Sequence, residues 1–278
     1  EYFRATSGIA RGDQPLPRYL SKTLQWRRPL KPGQSSPCVY GDSVFLTTFD
    51  KATSQLATVA LDRSTGEVRW TKTAPAKQIE EHHASGSPAV STVACDGERV
   101  FSFFGSYGLQ CFDLDGNQIW SRPMGPFQDE FGAGSSPIVI DGKVIINQDH
   151  DVDNFLIAID AKSGDTVWKT PRGGTRSYST PVIWHVNGKP QIVVAGSLRL
   201  MAYNLDDGQP IWWIDGLSRI VDPTPAIDGD TLYLATWTPG GDPGERISMG
   251  AFSDALKEYD KNGDKKVGKD ELSPGAVL

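Results

Sequence analysis

A short sequence pattern occurs four times along the chain, and it constrains the fold more than any other feature. Each copy has an apolar residue followed by Asp or Asn, a glycine three or four residues later, and a tryptophan four residues after the glycine. An Asx side chain favours a turn and glycine adopts positive φ without strain, so each copy predicts a strand, a tight turn and a second strand. The copies occupy residues 61–70, 112–120, 159–168 and 203–212.

The tryptophans of these copies, together with an earlier one, recur at the period of a repeat protein. Successive spacings are 44, 50, 48 and 44 residues, and a period on the order of 40–50 residues is typical of propellers and solenoids. A second marker, Ser-Pro or Thr-Pro, accompanies each unit. The tryptophans are Trp26, Trp70, Trp120, Trp168 and Trp212, and the prolines are Pro37, Pro88, Pro137, Pro181 and Pro225.

Each unit divides into four short β runs, which are clearest in the third unit. The runs are rich in Val and Ile and are bounded by turn residues, as an antiparallel meander requires. They lie at residues 137–140, 143–148, 155–160 and 166–170. No sustained helical periodicity precedes residue 250. The prediction is an all-β fold, a β-propeller of four-stranded antiparallel blades, with about four full blades plus partial ones.

Charge and hydropathy exclude several classes of function. The 278 residues carry a net charge of −6 without a basic run, which argues against a nucleic-acid partner. No apolar stretch reaches the ~18 residues that a membrane-spanning helix needs. The three cysteines, Cys38, Cys95 and Cys111, lack metal-ligand spacing, and we interpret them as small buried apolar residues.

The connections between the predicted strands differ in length at the two ends of the blades. In an up-and-down blade, the first and third turns lie at one end, whereas the second turn and the connection to the next blade lie at the other. The first set is short here and the second set is long. Long irregular loops commonly carry function, so a binding face is predicted there, with tolerated insertions as the alternative. The long connections are residues 50–55, 75–86, 123–134, 149–154 and 171–179.

Charged and histidine side chains in these connections are the candidate binding residues. The aspartates alternate as cation ligands do, but a solvated loop is the favoured interpretation. The arginines suit an anionic ligand or partner, and pairing with nearby aspartates is the alternative. Adjacent histidines point in different directions in an extended chain, so the two are not expected to share a metal ion. The candidates are His82, His83, Asp149, Asp151, Asp153, Arg172, Arg176 and Arg219.

The strongest chemical motif is the segment DKNGDKKVGKDE, residues 260–271. Its oxygen-bearing residues occupy the ligand places of an EF-hand loop, which predicts calcium binding. Lys265 stands at the sixth place, where glycine is usual, so strain of ~1–2 kcal/mol from a positive φ weakens the predicted affinity. A solvated acidic turn without metal is the alternative. The predicted ligands are Asp260, Asn262, Asp264, the Lys266 carbonyl and Glu271.

The repeat Ala-x-Asp-x-x-x-Gly-x-x-x-Trp resembles the pyrroloquinoline-quinone (PQQ) repeat. That repeat forms the blades of quinoprotein alcohol dehydrogenases and of non-enzymatic relatives, which include a bacterial outer-membrane assembly lipoprotein. Residues 60–70 and 158–168 match it outright, and Cys111, Gly116 and Asn204 are mild departures. Other stretches resemble a planctomycete-type subgroup with an inserted EF-hand. These stretches are residues 3–17, 24–37, 40–48 and 235–252.

The resemblance implies several properties of the chain. The tryptophans are expected to dock between neighbouring blades of a seven- or eight-bladed ring. The remaining blades are expected to be missing from this chain, and Trp26 to belong to the outer strand of the closing blade. The expected domains are a partial propeller at residues 1–244 and a calcium-binding EF-hand insertion at residues 245–278. An extracytoplasmic location, periplasmic or secreted, is expected from the resemblance alone.

The preferred functional prediction is a non-catalytic scaffold that binds a protein or another extracytoplasmic ligand, with calcium as the cofactor. The alternative is part of a PQQ- and calcium-dependent alcohol or sugar dehydrogenase. Dehydrogenases of the family stack PQQ beneath a disulfide between adjacent cysteines, and no two cysteines are adjacent here. PQQ binding and catalytic residues are therefore not predicted.

Overall fold

The computed structural model describes Tyr19, residues 23–236, residues 252–268 and Glu271. The chain divides into two compact units, Glu1–Trp237 and Thr238–Leu278. The expected domain boundary after residue 244 lies outside the described residues, as do the stretch at 3–17 and most of the stretch at 235–252.

The first unit consists of antiparallel sheets in which each strand pairs with the next strand along the chain. Among the described residues, four sheets have four strands and a fifth has two, so the predicted all-β architecture and its four-stranded units are confirmed. The first two sheets contain β1 (Cys38–Tyr40), β2 (Ser43–Asp50), β3 (Gln55–Asp62) and β4 (Val68–Ala74), then β5 (Ala94–Cys95), β6 (Arg99–Phe104), β7 (Gly108–Asp113) and β8 (Gln118–Pro123).

The remaining strands continue the same order. The third sheet contains β9 (Ile138–Ile140), β10 (Lys143–Gln148), β11 (Phe155–Asp160) and β12 (Thr166–Pro171), within one residue of the predicted runs. The fourth contains β13 (Val182–Val186), β14 (Lys189–Gly196), β15 (Arg199–Asn204) and β16 (Pro210–Asp215), and the fifth contains β17 (Ala226–Asp228) and β18 (Thr231–Tyr233). The second unit contains the helix α1 (Phe252–Tyr259).

The two middle strands of each four-stranded sheet are buried on both faces, which explains their nearly continuous apolar sequences. In the third sheet, Ile145 and Leu156 pack towards the fourth sheet, where they contact the cluster around Ile192 and Tyr203. The alternate residues of the same two strands, such as Ile146, pack towards the second sheet. The core is therefore a series of apolar layers, each shared by two neighbouring sheets.

The repeat glycines provide the surface on which the repeat tryptophans dock. Gly164 has a φ of 79°, and a Cβ at this position would lie 2.8 Å from the ring of Trp120. The indole Nε1 of Trp120 donates a hydrogen bond to the Ala161 carbonyl in the same turn, at 3.2 Å. The expectation that the tryptophans dock between neighbouring sheets is confirmed here. The equivalent pairs are Trp70 with Gly116 and Trp168 with Gly208.

Hydroxyl groups form a second link between sheets, which the sequence analysis did not identify. The backbone N–H of Thr92 donates to the Ser136 hydroxyl at 2.9 Å, and that of Ser136 donates to the Thr180 hydroxyl at 3.0 Å. The N–H of Thr180 donates in turn to the Thr224 hydroxyl at 3.1 Å. Each step spans 44 residues, so buried N–H groups at the start of one sheet are satisfied by the next.

This ladder corrects one of the repeat markers. The hydroxyl residues Ser136, Thr180 and Thr224 each precede a marker proline, but Thr92 is followed by Val93. Pro88 lies five residues earlier, so it does not occupy the equivalent position in the second unit. The Ser-Pro dipeptide there was a coincidence of sequence within the long connection.

Residues 24–37 form no strand with the described residues, so the prediction that Trp26 belongs to the outer strand of a closing blade stays a prediction. Trp26 nevertheless docks as the other repeat tryptophans do: its Nε1 donates to the Arg63 carbonyl at 2.8 Å, and its ring lies against Gly66. Trp212 contacts Trp184 edge to face and donates to Gln191 within its own sheet.

Candidate binding face at the long-connection rim

The long connections of the first unit pack against one another at the same end of the sheets. The Asp151 N–H donates to the Gln128 carbonyl and the Tyr178 N–H donates to the Val221 carbonyl, both at 3.0 Å. The prediction that these connections gather at one end is confirmed. We call this end the long-connection rim; it comprises residues 51–54, 75–93, 124–137, 149–154, 172–181 and 216–225. The opposite end, the tight-turn rim, carries the repeat turns, such as residues 161–165 and 205–209.

Two of the candidate residues lie inside the rim and face each other. Asp149 accepts two hydrogen bonds from the Arg172 guanidinium, at 2.8 and 3.0 Å. Their side chains are 2% and 3% exposed, and the remaining nitrogen of Arg172 donates to the Tyr203 hydroxyl. Burial opposes the charge of Arg172, but the Asp149 carboxylate keeps its pKa raised. The pair holds the rim to the fourth sheet and does not face solvent.

Arg176 forms a second, more open ion-pair network. Its guanidinium lies 2.8 Å from the Asp151 carboxylate and 2.9 Å from that of Glu130, and it also lies over the ring of Phe131. Burial opposes its charge, while Glu130 and Asp151 leave its pKa raised. For both arginines, the alternative that they pair with nearby acidic residues is the one observed.

The other candidates lie at the surface of the rim. Asp153 is exposed and Arg219 is half-buried. His82 is held near Phe49, and its Nδ1 is 3.2 Å from the Glu80 carbonyl, whereas the ring of His83 contacts Phe131. The adjacent histidines therefore occupy different surroundings, as expected.

A cavity of about 420 Å³ opens where the connections converge. Three aromatic side chains line it, with Phe131 5.8 Å from the His83 ring centroid and 6.4 Å from that of Tyr178. Asp222 contributes an exposed carboxylate to the lining. Gly134 belongs to the wall because a Cβ there would lie 2.8 Å from Tyr178. Residues of four successive connections thus build one concave site.

Two buried carboxyl groups lie behind this cavity. Burial raises the pKa of Glu80 to about 8, and the nearby Asp129 charge adds to the effect. Asp129 accepts hydrogen bonds from the Phe131 N–H at 2.9 Å and from the Tyr178 hydroxyl at 3.0 Å. Burial also raises the pKa of Asp129 and, with the Asp129 charge, that of Tyr178, whose hydroxyl therefore stays protonated.

No local sequence pattern pointed to Asp129 or Phe131 as residues of the site. Their role becomes visible only when separate connections are brought together. The usable signal was the glycine content of residues 132–134, because Gly132 and Gly134 leave space for neighbouring side chains.

The described part of the second unit contains α1 and the loop that follows it. Lys265 has a φ of 64°, the left-handed conformation expected at the sixth place. Asp260 accepts hydrogen bonds from the N–H groups of Gly263 and Lys265. Glu271 accepts from the N–H groups of Lys261, Asn262 and Gly268, and the Gly268 hydrogen bond lowers its pKa. The loop is thus folded around its own carboxylates.

Comparison with known proteins gives a family match for part of the chain. Residues 20–146 match a PQQ-type family model described as outer membrane protein assembly factor BamB. None of the curated proteins matches the sequence significantly.

Solved structures show that the fold of the first unit is that of PQQ-like propeller proteins. BamB from Moraxella catarrhalis is 18% identical with a TM-score of 0.50, over 75% of this chain and 59% of its own. Quinohemoprotein alcohol dehydrogenase ADHIIG from Pseudomonas putida HK5 is 18% identical with a TM-score of 0.50, over 66% of this chain and 34% of its own. The Comamonas testosteroni quinohemoprotein alcohol dehydrogenase is 14% identical with a TM-score of 0.50, over 66% and 35%. The chain therefore spans between a third and three-fifths of the length of these structures.

The cysteines of the first unit are packing residues. Cys38 and Cys95 belong to the apolar cluster shared by the first and second sheets, and Cys111 belongs to the one shared by the second and third. Burial raises the pKa of the Cys111 thiol to about 12. The interpretation of the cysteines as buried apolar residues is confirmed.

Two kinds of feature are not found among the described residues of the two units. No helix in the described part of the chain is long and apolar enough to cross a membrane. Among the same residues, no group of three or more His, Cys, Asp or Glu side chains is arranged to hold a metal ion.

Proposed function

We propose that this chain is a non-catalytic PQQ-like propeller that presents its long-connection rim to a protein or another extracytoplasmic ligand. The observation that carries this proposal is the convergence of the long connections on one cavity-bearing face, whereas the opposite face has only tight turns. Connections longer than the fold requires are where binding sites occur most often. The periplasm or the cell exterior is the proposed location, since the matched family model describes an outer membrane protein assembly factor.

The dehydrogenase alternative requires a PQQ site, and the residues present do not fit one. The resemblance implies a disulfide between adjacent cysteines above the quinone. Here Cys38, Cys95 and Cys111 lie within the apolar layers between sheets, and no two of them are adjacent in the sequence. The packing of these cysteines supports the proposal of a binding function in preference to the dehydrogenase.

Site-specific photo-cross-linking tests the proposed face. A photoreactive amino acid replaces Glu130 on the long-connection rim or, as the control, Asp206 on the tight-turn rim; their side chains are 68% and 87% exposed. In an extract of the source organism, we expect a discrete cross-linked species from position 130 and none from position 206. Equal cross-linking from both positions would contradict the proposed face.

The second unit is proposed to bind calcium weakly through Asp260, Asn262, Asp264, the Lys266 carbonyl and Glu271. These hard oxygen ligands suit calcium, and the loop has the turn that an EF-hand needs at its sixth place. The cost of that turn at a lysine, ~1–2 kcal/mol, lowers the affinity about tenfold. Among the described residues, Asp260, Asp264 and Glu271 do not form a group arranged to hold a metal ion. Calcium binding therefore requires these side chains to move closer together.

We expect calcium titration of the full chain by calorimetry to give a heat that is lost in Glu271→Gln. Glutamine keeps an acceptor for the N–H groups of Lys261 and Asn262, but it removes the bidentate carboxylate. Lys265→Gly is the complementary variant and should bind calcium about tenfold more tightly because it removes the strained φ. Identical titration curves for the chain and Glu271→Gln would rule out this site.

A further inference from the structure

The side chains that line the aromatic cavity of the long-connection rim favour a positively charged ligand. Phe131 is 40% exposed, and its ring is flanked by His83 at an interplanar angle of 36° and by Tyr178 at 81°. Rings that meet at such different angles form walls of a concave site instead of one flat stack. The faces of aromatic rings carry negative potential, so a site of this shape attracts cations.

Acidic groups surround this cavity on more than one side. Asp222 lines it directly, and Asp129 lies behind it, hydrogen-bonded to Tyr178. Arg176 is the cation nearby, and its charge is balanced by Asp151 and Glu130. Asp222 in the lining and the one excess carboxylate of the Arg176 network therefore leave the cavity electronegative.

An internal contact shows that Phe131 already accepts a cation. The Arg176 guanidinium carbon lies 5.4 Å from the centroid of the Phe131 ring, within the ~6 Å range of cation–π attraction. The cavity itself is open, with a volume of about 420 Å³. This volume exceeds what a trimethylammonium group needs, so the site has room for the group and for the chain that carries it.

We propose that the cavity lined by His83, Phe131, Tyr178 and Asp222 binds an organic ammonium group. This inference rests on the proposed function of the rim and specifies the chemistry of its ligand. The ammonium group belongs either to a free small molecule or to a basic side chain of a protein partner. In both cases the aromatic walls contact the alkyl groups while Asp222 and Asp129 stabilise the charge.

The test compares a cation with its neutral isostere on the full chain. Choline and 3,3-dimethylbutan-1-ol have the same shape, and only choline is charged. By calorimetry or ligand-observed NMR, choline should bind at least about fivefold more tightly, since a cation–π contact is worth ~1–2 kcal/mol in a partly desolvated site. A short peptide with trimethyllysine, compared with the same peptide carrying the neutral analogue in which a tert-butyl group replaces the trimethylammonium group, forms a second arm. A larger charge preference in the peptide arm assigns the ligand to a protein side chain, and a larger one for choline assigns it to a small molecule.

Substitutions test whether choline binds in this cavity. Phe131→Leu should weaken choline binding about five- to tenfold by removing the ring face. Trp213→Leu, at an aromatic residue 56% exposed on β16 outside the rim, is the matched control and should leave binding unchanged. Asp222→Asn, at an exposed position, should weaken binding two- to threefold without affecting folding.

Two results would overturn the assignment. If both isosteres bind equally, the cavity is an apolar site without charge selection, and if neither binds at millimolar concentration, it is not an ammonium site. Neither result affects the cross-linking comparison between positions 130 and 206, because that comparison does not depend on the charge of the partner. A failure of this inference is therefore distinguishable from a failure of the proposed function.

Discussion

Asp149→Asn is expected to destabilise the chain by about 3–5 kcal/mol, because it leaves the buried charge of Arg172 without a partner. The two side chains are 2% and 3% exposed and share two hydrogen bonds. Asparagine has nearly the shape of aspartate, so the loss comes from charge and not from packing. Urea unfolding followed by tryptophan fluorescence measures the change in the free energy of unfolding.

The matched control for this change is Asp215→Asn. Asp215 pairs with Arg199, and their side chains are 61% and 53% exposed, so the loss should stay below ~1 kcal/mol. The double variant Asp149→Leu with Arg172→Met should be more stable than Asp149→Asn, since it leaves no buried charge. If Asp149→Asn and Asp215→Asn lower the free energy of unfolding equally, the Asp149–Arg172 pair is exposed to water in solution.

Gly164→Ala is expected to destabilise the chain by about 3 kcal/mol, the sum of a strained φ and a collision with an aromatic ring. The backbone φ is 79°, and the added Cβ would lie 2.8 Å from Trp120. The ring cannot retreat easily because its Nε1 is hydrogen-bonded to the Ala161 carbonyl. The same denaturation measurement applies.

Gly142→Ala separates the two causes. Gly142 has a φ of 71°, but nothing lies within 4 Å of its added Cβ, so only the strain of ~1–2 kcal/mol remains. In a Trp120→Ala background, the excess loss at Gly164 should disappear, since the colliding ring is gone. If both glycine variants lose the same stability, tryptophan docking on the repeat turn is not what holds neighbouring sheets together.

The repeat pattern was sufficient to predict the sheets, because each four-stranded unit is local in sequence. Strand boundaries in the third unit agree with the structure within one residue, and the gathering of the long connections follows from the alternation of an up-and-down meander. Pro88 was misassigned because its Ser-Pro dipeptide matches the repeat marker while the surrounding residues do not. In that unit, the hydrogen bond from the Thr92 N–H to the Ser136 hydroxyl identifies the position equivalent to the other markers.

The candidate site could be predicted only in part, because its chemistry depends on contacts between residues far apart in sequence. Sequence identified Asp149 and Arg172 as charged residues of the connections, but their burial depends on a contact between residues 23 positions apart in the chain. The carboxyl group of Asp129 is paired with Tyr178, 49 residues away. Contacts of this kind produce no local pattern in the sequence. The aromatic cavity could therefore be recognised only in the folded structure of the rim.

The measurement that tests the central claim most directly is the ratio of cross-linked product from position 130 to that from position 206, with each product identified by mass spectrometry. Recognition at the rim of long connections predicts one partner that is captured from position 130 in large excess over position 206. A partner captured from position 206 in equal or greater yield would place recognition on the tight-turn rim and contradict the account.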